Sequence, residues 1–170
     1  MKTLSEEKLR YRIRLWIILF ITGLVLSGIT AFPIETQLSF ANGHIGWLPE
    51  FLRAWVQKVY VAVVSTNQNY PYLSYGTDWL AFAHIVIGVA FIGPLMNPVK
   101  NIWVIQFGMI ACLMVIPLAL IAGSIREIPF YWRMIDCSFG VFGIIPLFLC
   151  YRDIKKLERI ISLKSGINYF

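Results

Sequence analysis

The sequence predicts an all-α integral membrane protein, a four-helix transmembrane bundle with an extracytoplasmic amphipathic, membrane-interfacial helix between spans 1 and 2. Three observations carry that prediction. The 170-residue chain is 58% hydrophobic and only 14% charged, where soluble domains run to roughly half apolar and a quarter charged. Its apolar residues gather in four runs long enough to cross about 30 Å of hydrocarbon at about 1.5 Å per residue. Its Lys and Arg residues flank those runs, so the net charge of +6 reads as membrane topology. Nucleic-acid binding, which needs cations gathered on one folded face, is excluded.

The first span is expected over residues 13–32. Met1 to Arg14 is short and basic, Ile13 to Phe32 is almost unbroken apolar sequence, and Pro33 closes it. A cleaved signal peptide has an apolar region of only about 7 to 15 residues, so the run reads as a retained helix. Gly23, Ser27 and Ala31 recur every fourth residue, a small-residue stripe suited to a close helix neighbour. The outer connection, residues 33–77, holds only Arg53 and Lys58 as basic residues. Within it Pro49 and Glu50 suit a helix start. Phe51, Leu52, Trp55, Val59 and Val63 then recur at helical spacing against Arg53, Gln57 and Lys58, predicting an interfacial helix over residues 49–65. Asn67 to Thr77, with Tyr70, Tyr72 and Tyr75 among Pro71 and Gly76, reads as an aromatic, turn-rich loop at headgroup level.

The second span is expected over residues 79–96, opened by Asp78 or Trp79 and broken by Gly93, Pro94, Asn97 and Pro98. Lys100 marks a short turn. The third span covers residues 102–122 with Pro117 inside, and the fourth residues 131–151 with Pro146 inside. The tail, residues 152–170, repeats Ile154, Leu157 and Ile161 among Lys155, Lys156, Arg159 and Lys164, predicting a surface amphipathic continuation of the last helix. Eleven of the 15 Lys and Arg lie in the amino terminus, at Lys100 and in the tail. The positive-inside bias therefore predicts an inner-membrane protein with both termini in the cytoplasm.

That topology gathers charge at one place. Ser124 to Gly143 carries Arg126, Glu127, Arg133 and Asp136 at the mouth of the fourth span. Charges in such a setting are costly and mark functional sites. Arg133, Asp136, Gly140 and Gly143 fall on one helix face, charges above and close-contact glycines below. Asp78 is expected on the same side, with His84 about 9 Å deeper. The candidate ligand-binding set is thus Asp78, His84, Arg126, Arg133 and Asp136, a polar chamber roofed by His44, Trp47 and the loop tyrosines. The simpler reading of the same charges is a pair of ion pairs, Arg133 with Asp136 or Arg126 with Asp78, fastening helix ends.

The leading functional expectation is a non-enzymatic binding or accessory subunit for a lipid-like or quinone-like ligand or a membrane partner, including a second copy of the chain. The arginines would supply bidentate donors. One alternative is a small membrane enzyme moving a proton between His84 and Asp136 or Glu127. Another is a haem- or metal-binding subunit through His84, in the haem b case with His84 as an axial ligand and His44, a Met or a partner residue as the second. A metal centre of His84, Asp136 and Cys137 lacks any recognised ligand spacing, and none is expected. Cys112, Cys137 and Cys150 all fall inside spans and form no Cys-x-x-Cys pattern, so they read as small buried hydrophobes. The chain also lacks the loop cysteines of quinone-reducing thiol oxidoreductases and the several intramembrane histidines of small cytochromes b.

Overall fold

A computed structural model describes residues 2–165, with side chains described over 5–164, and no strand occurs among them. The helices are α1 (Lys2–Ala31), α2 (Ile34–His44), α3 (Glu50–Asn69), α4 (Pro71–Ala90), α5 (Ile92–Met96), α6 (Ile102–Ile125) and α7 (Phe130–Ser165), with a 3-10 turn at Ile45–Trp47. Among the described residues four stretches are long and apolar enough to cross a membrane: Ser5–Ala31, Pro71–Met96, Ile102–Ile125 and Phe130–Lys164. Their outward faces carry bare apolar side chains, among them Leu19, Leu26, Met114, Leu118, Phe139 and Phe142. Such side chains are costly to expose to water, whereas hydrocarbon covers them at no cost.

The chain divides into two compact units. The first joins residues up to Thr22 to those from Gly88 onward, and the second is Gly23–Ile87. In the first unit α6 and α7 pack along each other, and the α1 segment lies against α7. Ile13, Ile17, Phe91, Ile105, Leu147, Ile154 and Leu157 form its core, each at most 1% exposed. Gly108 leaves the room that Phe91 and Leu147 fill: a Cβ there would come within 2.7 Å of the Phe91 ring and 2.9 Å of Leu147. Gly140 sits so tightly on the carbonyl of Cys112 that α6 and α7 meet backbone to backbone. The connection before α6 is held by Asn101, whose amide donates to the carbonyls of Gly93 (3.1 Å) and Asn97 (3.0 Å).

The second unit is tied by polar contacts that apolar periodicity does not reveal. The Asn67 amide donates to the Glu35 carboxylate and its carbonyl oxygen accepts from the Ser74 hydroxyl, so one side chain joins α2, α3 and α4. Gln37 donates back to the carbonyl of Thr30 in α1. The expected amphipathic pattern of α3 is present from Leu52 onward, while Phe51, expected on the buried side, is 55% exposed. Leu52, Trp55, Val59 and Val63 are half-buried while Arg53, Gln57 and Lys58 are exposed.

The structure departs from the sequence expectations at three places. The aromatic segment around residues 67–77 is not a loop, because α4 begins at Pro71 directly after Tyr70. Proline at a first helical position has no amide to waste and a φ already set for the helix, so Pro71 starts a helix where it was read as a breaker. Asp78 consequently lies about 10 Å inside α4 and does not open it. The close approach on α1 belongs to Gly28, where a Cβ would come within 2.7 Å of the Ala81 carbonyl oxygen. Gly23 of the expected stripe has nothing within 4 Å.

The tail is the third departure. It is an unbroken extension of α7, and its apolar positions Ile154 and Leu157 are fully buried in the first unit and not laid on a membrane surface. Residues 166–170 of the expected tail lie outside the described residues.

Candidate functional site

The α6–α7 turn is built by a helix stop with an unusual residue in it. Ile128 N donates to Gly123 O (2.9 Å) and Glu127 N to Ser124 O (3.2 Å), the two bonds of a Schellman cap. That cap needs a left-handed residue, and Glu127 occupies the position with φ 55°. Glycine is the usual occupant, since a left-handed backbone costs an L-residue about 1–2 kcal/mol. Glu127→Gly is therefore expected to raise stability by about 1 kcal/mol in a thermal or denaturant melt. A loss of stability would mean that the glutamate side chain holds the turn.

Arg133 folds back onto the end of α6. Its aliphatic stem lies over Gly123, where a Cβ would sit 2.6 Å from Cδ. Its Nη1 donates to the Ser124 hydroxyl and, at 3.4 Å, to the Leu120 carbonyl, while Ser124 itself donates to Leu120 O at 2.7 Å. The guanidinium also stands 5.4 Å from the centre of the Phe130 ring. A cation at a helix carboxyl end meets the negative pole of the peptide dipoles, so Arg133 is largely occupied in capping α6. It does not pair with Asp136.

Asp136 and Arg126 have a different setting. Both line a groove of about 330 Å³ whose other walls are Val115, Leu118, Ala119, Ala122, Gly123 and Ile128. Asp136 is half-buried and Arg126 exposed. The ion pairs among the described residues are Arg10–Glu6, Arg12–Asp153, Lys155–Glu158 and Lys164–Glu6, and neither groove residue takes part in them. The groove thus carries one cation and one anion at its rim, over an apolar floor that runs about 16 Å along α6 from Arg126 to Val115.

Of the five expected ligand residues, then, Arg126 and Asp136 share a groove, and Arg133 is engaged beside it. Asp78 and His84 belong to the second unit. His84 is half-buried, and its Nδ1 lies 2.7 Å from the Leu80 carbonyl. A carbonyl only accepts, so in the neutral ring Nδ1 carries the proton and Nε2 keeps its lone pair. His44 makes the same bond to Phe40 at 2.8 Å and stacks on that ring, and Trp47 is 81% exposed. No cluster of three or more His, Cys, Asp or Glu suited to a metal occurs among the described residues.

One charged residue escapes sequence reading altogether. Asp153 is fully buried in the first unit, 3.1 Å from the Arg12 guanidinium, beside buried Cys150, Ile154 and Leu157. Farther out Lys164 pairs with Glu6, which also holds Arg10, so charge pairs close the amino-terminal segment of α1 onto the end of α7.

Four apolar helices with lipid-requiring faces define a multi-pass membrane protein. No protein-family model matches the chain, and neither a curated protein nor a solved structure shows a significant likeness to it.

Proposed function

We propose that this protein is a non-enzymatic binding or accessory component of the inner membrane that holds an amphipathic molecule in the α6–α7 groove. One observation carries the reading. Two opposite charges, Arg126 and Asp136, stand unpaired with each other at the rim of a groove whose floor is apolar. An isolated charge at the membrane boundary is costly, and a ligand with a polar head and an apolar tail satisfies head and floor together. Ala119 lies in the floor, so Ala119→Phe fills the groove without touching the rim charges. The wild-type protein is expected to retain a tightly held amphiphile through detergent washing, seen as a mass adduct in native mass spectrometry, and Ala119→Phe to lose it. Equal retention by both, at equal melting temperature, contradicts the reading.

The proposed orientation places both termini in the cytoplasm. It is supported by the basic flanks and by the Arg12–Asp153 and Glu6–Lys164 pairs, which hold the two terminal segments at one end of the first unit. A membrane-impermeant thiol reagent applied outside is expected to label Gln68→Cys in a background lacking the native cysteines. Labelling from the cytoplasmic side alone reverses the orientation.

A further inference from the structure

We infer that the occupant of the groove is a phospholipid with a zwitterionic, primary-ammonium headgroup, a phosphoethanolamine lipid, held by its phosphate at Arg126 and by its ammonium at Asp136. The inference rests on the reading of the groove as an amphiphile site and adds the class of headgroup. It follows from the charge inventory of the groove and its margin. Arg126 and Asp136 both line it, and no nitrogen of the one lies within 4.0 Å of an oxygen of the other. Arg133, the other cation at this end, gives Nη1 to Ser124 and Leu120 at the carboxyl pole of α6, and its Nε is buried without a hydrogen-bond partner. Glu127 is exposed on the turn and is not among the lining residues.

An anionic headgroup would satisfy Arg126 and leave the half-buried Asp136 facing a like charge. A cationic amphiphile would reverse the fault. A neutral quinone would leave both charges without a counterion. A zwitterion alone answers both, because phosphate oxygens accept from the guanidinium fork and an ammonium donates to the carboxylate, charge-assisted bonds on both sides. A quaternary ammonium has the same charge and no N–H, so it forgoes the bond to Asp136. The acyl chains then lie along Ala122, Ala119, Leu118 and Val115.

The test is a titration of the delipidated full-length protein with phosphatidylethanolamine, phosphatidylcholine and phosphatidylglycerol of identical chains, followed by native mass spectrometry. Wild type is expected to prefer the ethanolamine lipid by about fivefold or more over both others, of the order one charge-assisted bond provides. Asp136→Asn is expected to erase the preference over the choline lipid, and Arg126→Gln to weaken all three. Equal affinities for the three lipids, or a preference for the glycerol lipid, overturn the headgroup assignment while leaving an amphiphile site standing if Ala119→Phe still abolishes binding. Binding that Ala119→Phe leaves unchanged overturns both.

Discussion

Arg12→Ala is expected to destabilise the protein by about 2–4 kcal/mol, one of the two largest effects of any single change outside the apolar core. Its partner Asp153 is 0% exposed, and the guanidinium is the counter-charge that the structure supplies. Taking the arginine away strands a carboxylate among Cys150, Ile154 and Leu157. The expected cost lies somewhat below the roughly 3–5 kcal/mol of a wholly buried pair, because the Arg12 side chain is itself 48% exposed and keeps part of its hydration. The same asymmetry orders the series. Asp153→Ala leaves a guanidinium that reaches water, so it is expected to cost less, about 1–2 kcal/mol. The double change Arg12→Met with Asp153→Leu removes both charges and is expected to recover most of the loss. Urea or thermal melts in detergent read the three together. If all three fall within about 0.5 kcal/mol of wild type, the pair is a surface contact and the terminal segments are held by apolar packing alone.

The second large effect is expected at Gly140. A methyl group there would fall on the carbonyl oxygen of Cys112, a backbone atom that can yield only if α6 and α7 separate along their contact. Gly140→Ala is expected to cost about 2–3 kcal/mol, at the upper end of overpacking changes, and Gly140→Val more. Membrane helices have no water-driven force to hold them together and rely on such close approaches. Two other glycines calibrate the effect. At Gly143 an added Cβ meets the Cys112 sulfur at 2.9 Å, a side-chain tip that can rotate away, so Gly143→Ala is expected to be milder. At Gly23 nothing lies within 4 Å, and Gly23→Ala is expected to be neutral. A melt series in which the three alanine variants behave alike would contradict the packing described here.

The long elements were legible in the chain because lipid imposes a length and a composition that few other environments demand. Four apolar runs between basic flanks leave little freedom, and the expected spans follow the observed helices closely: the first runs one residue past the end of α1 at Ala31, and the second crosses the break at Phe91 between α4 and α5. The amphipathic stripe of α3 was legible in part for the same reason: apolar residues at helical spacing mark its half-buried side, although Phe51 at its start is exposed. What failed did so where meaning depends on a distant residue. Pro71 and Gly76 mark a loop in most contexts, and only the abrupt break at Tyr70 makes Pro71 the first residue of α4. Gly28 and Ser27 are adjacent small residues between Leu26 and Ile29, and which of them faces α4 is fixed by how that helix packs, not by α1 itself.

Asp153 is the sharpest case. It stands among Arg152, Lys155 and Lys156, where a linear reading sees a solvated charge run. Only the return of α1 along α7 covers it. For the candidate site the sequence located the charged turn but not the division of labour within it. Arg133 and Asp136 share a helix face at a spacing of three, which suggests a pair. The Schellman stop at Glu127 instead brings Ser124 and the end of α6 under Arg133 and leaves Asp136 to the groove with Arg126.

The central claim is that the groove floored by Val115, Ala119 and Ala122 holds the chains of an amphiphile whose head lies between Arg126 and Asp136. An experimental density map of the protein in a lipid environment, such as crystals grown from a lipidic mesophase, tests it most directly. The expected result is elongated non-protein density along that floor, ending in a headgroup at the two rim residues. A groove closed by repacked side chains, or filled by a helix of a neighbouring copy, contradicts it.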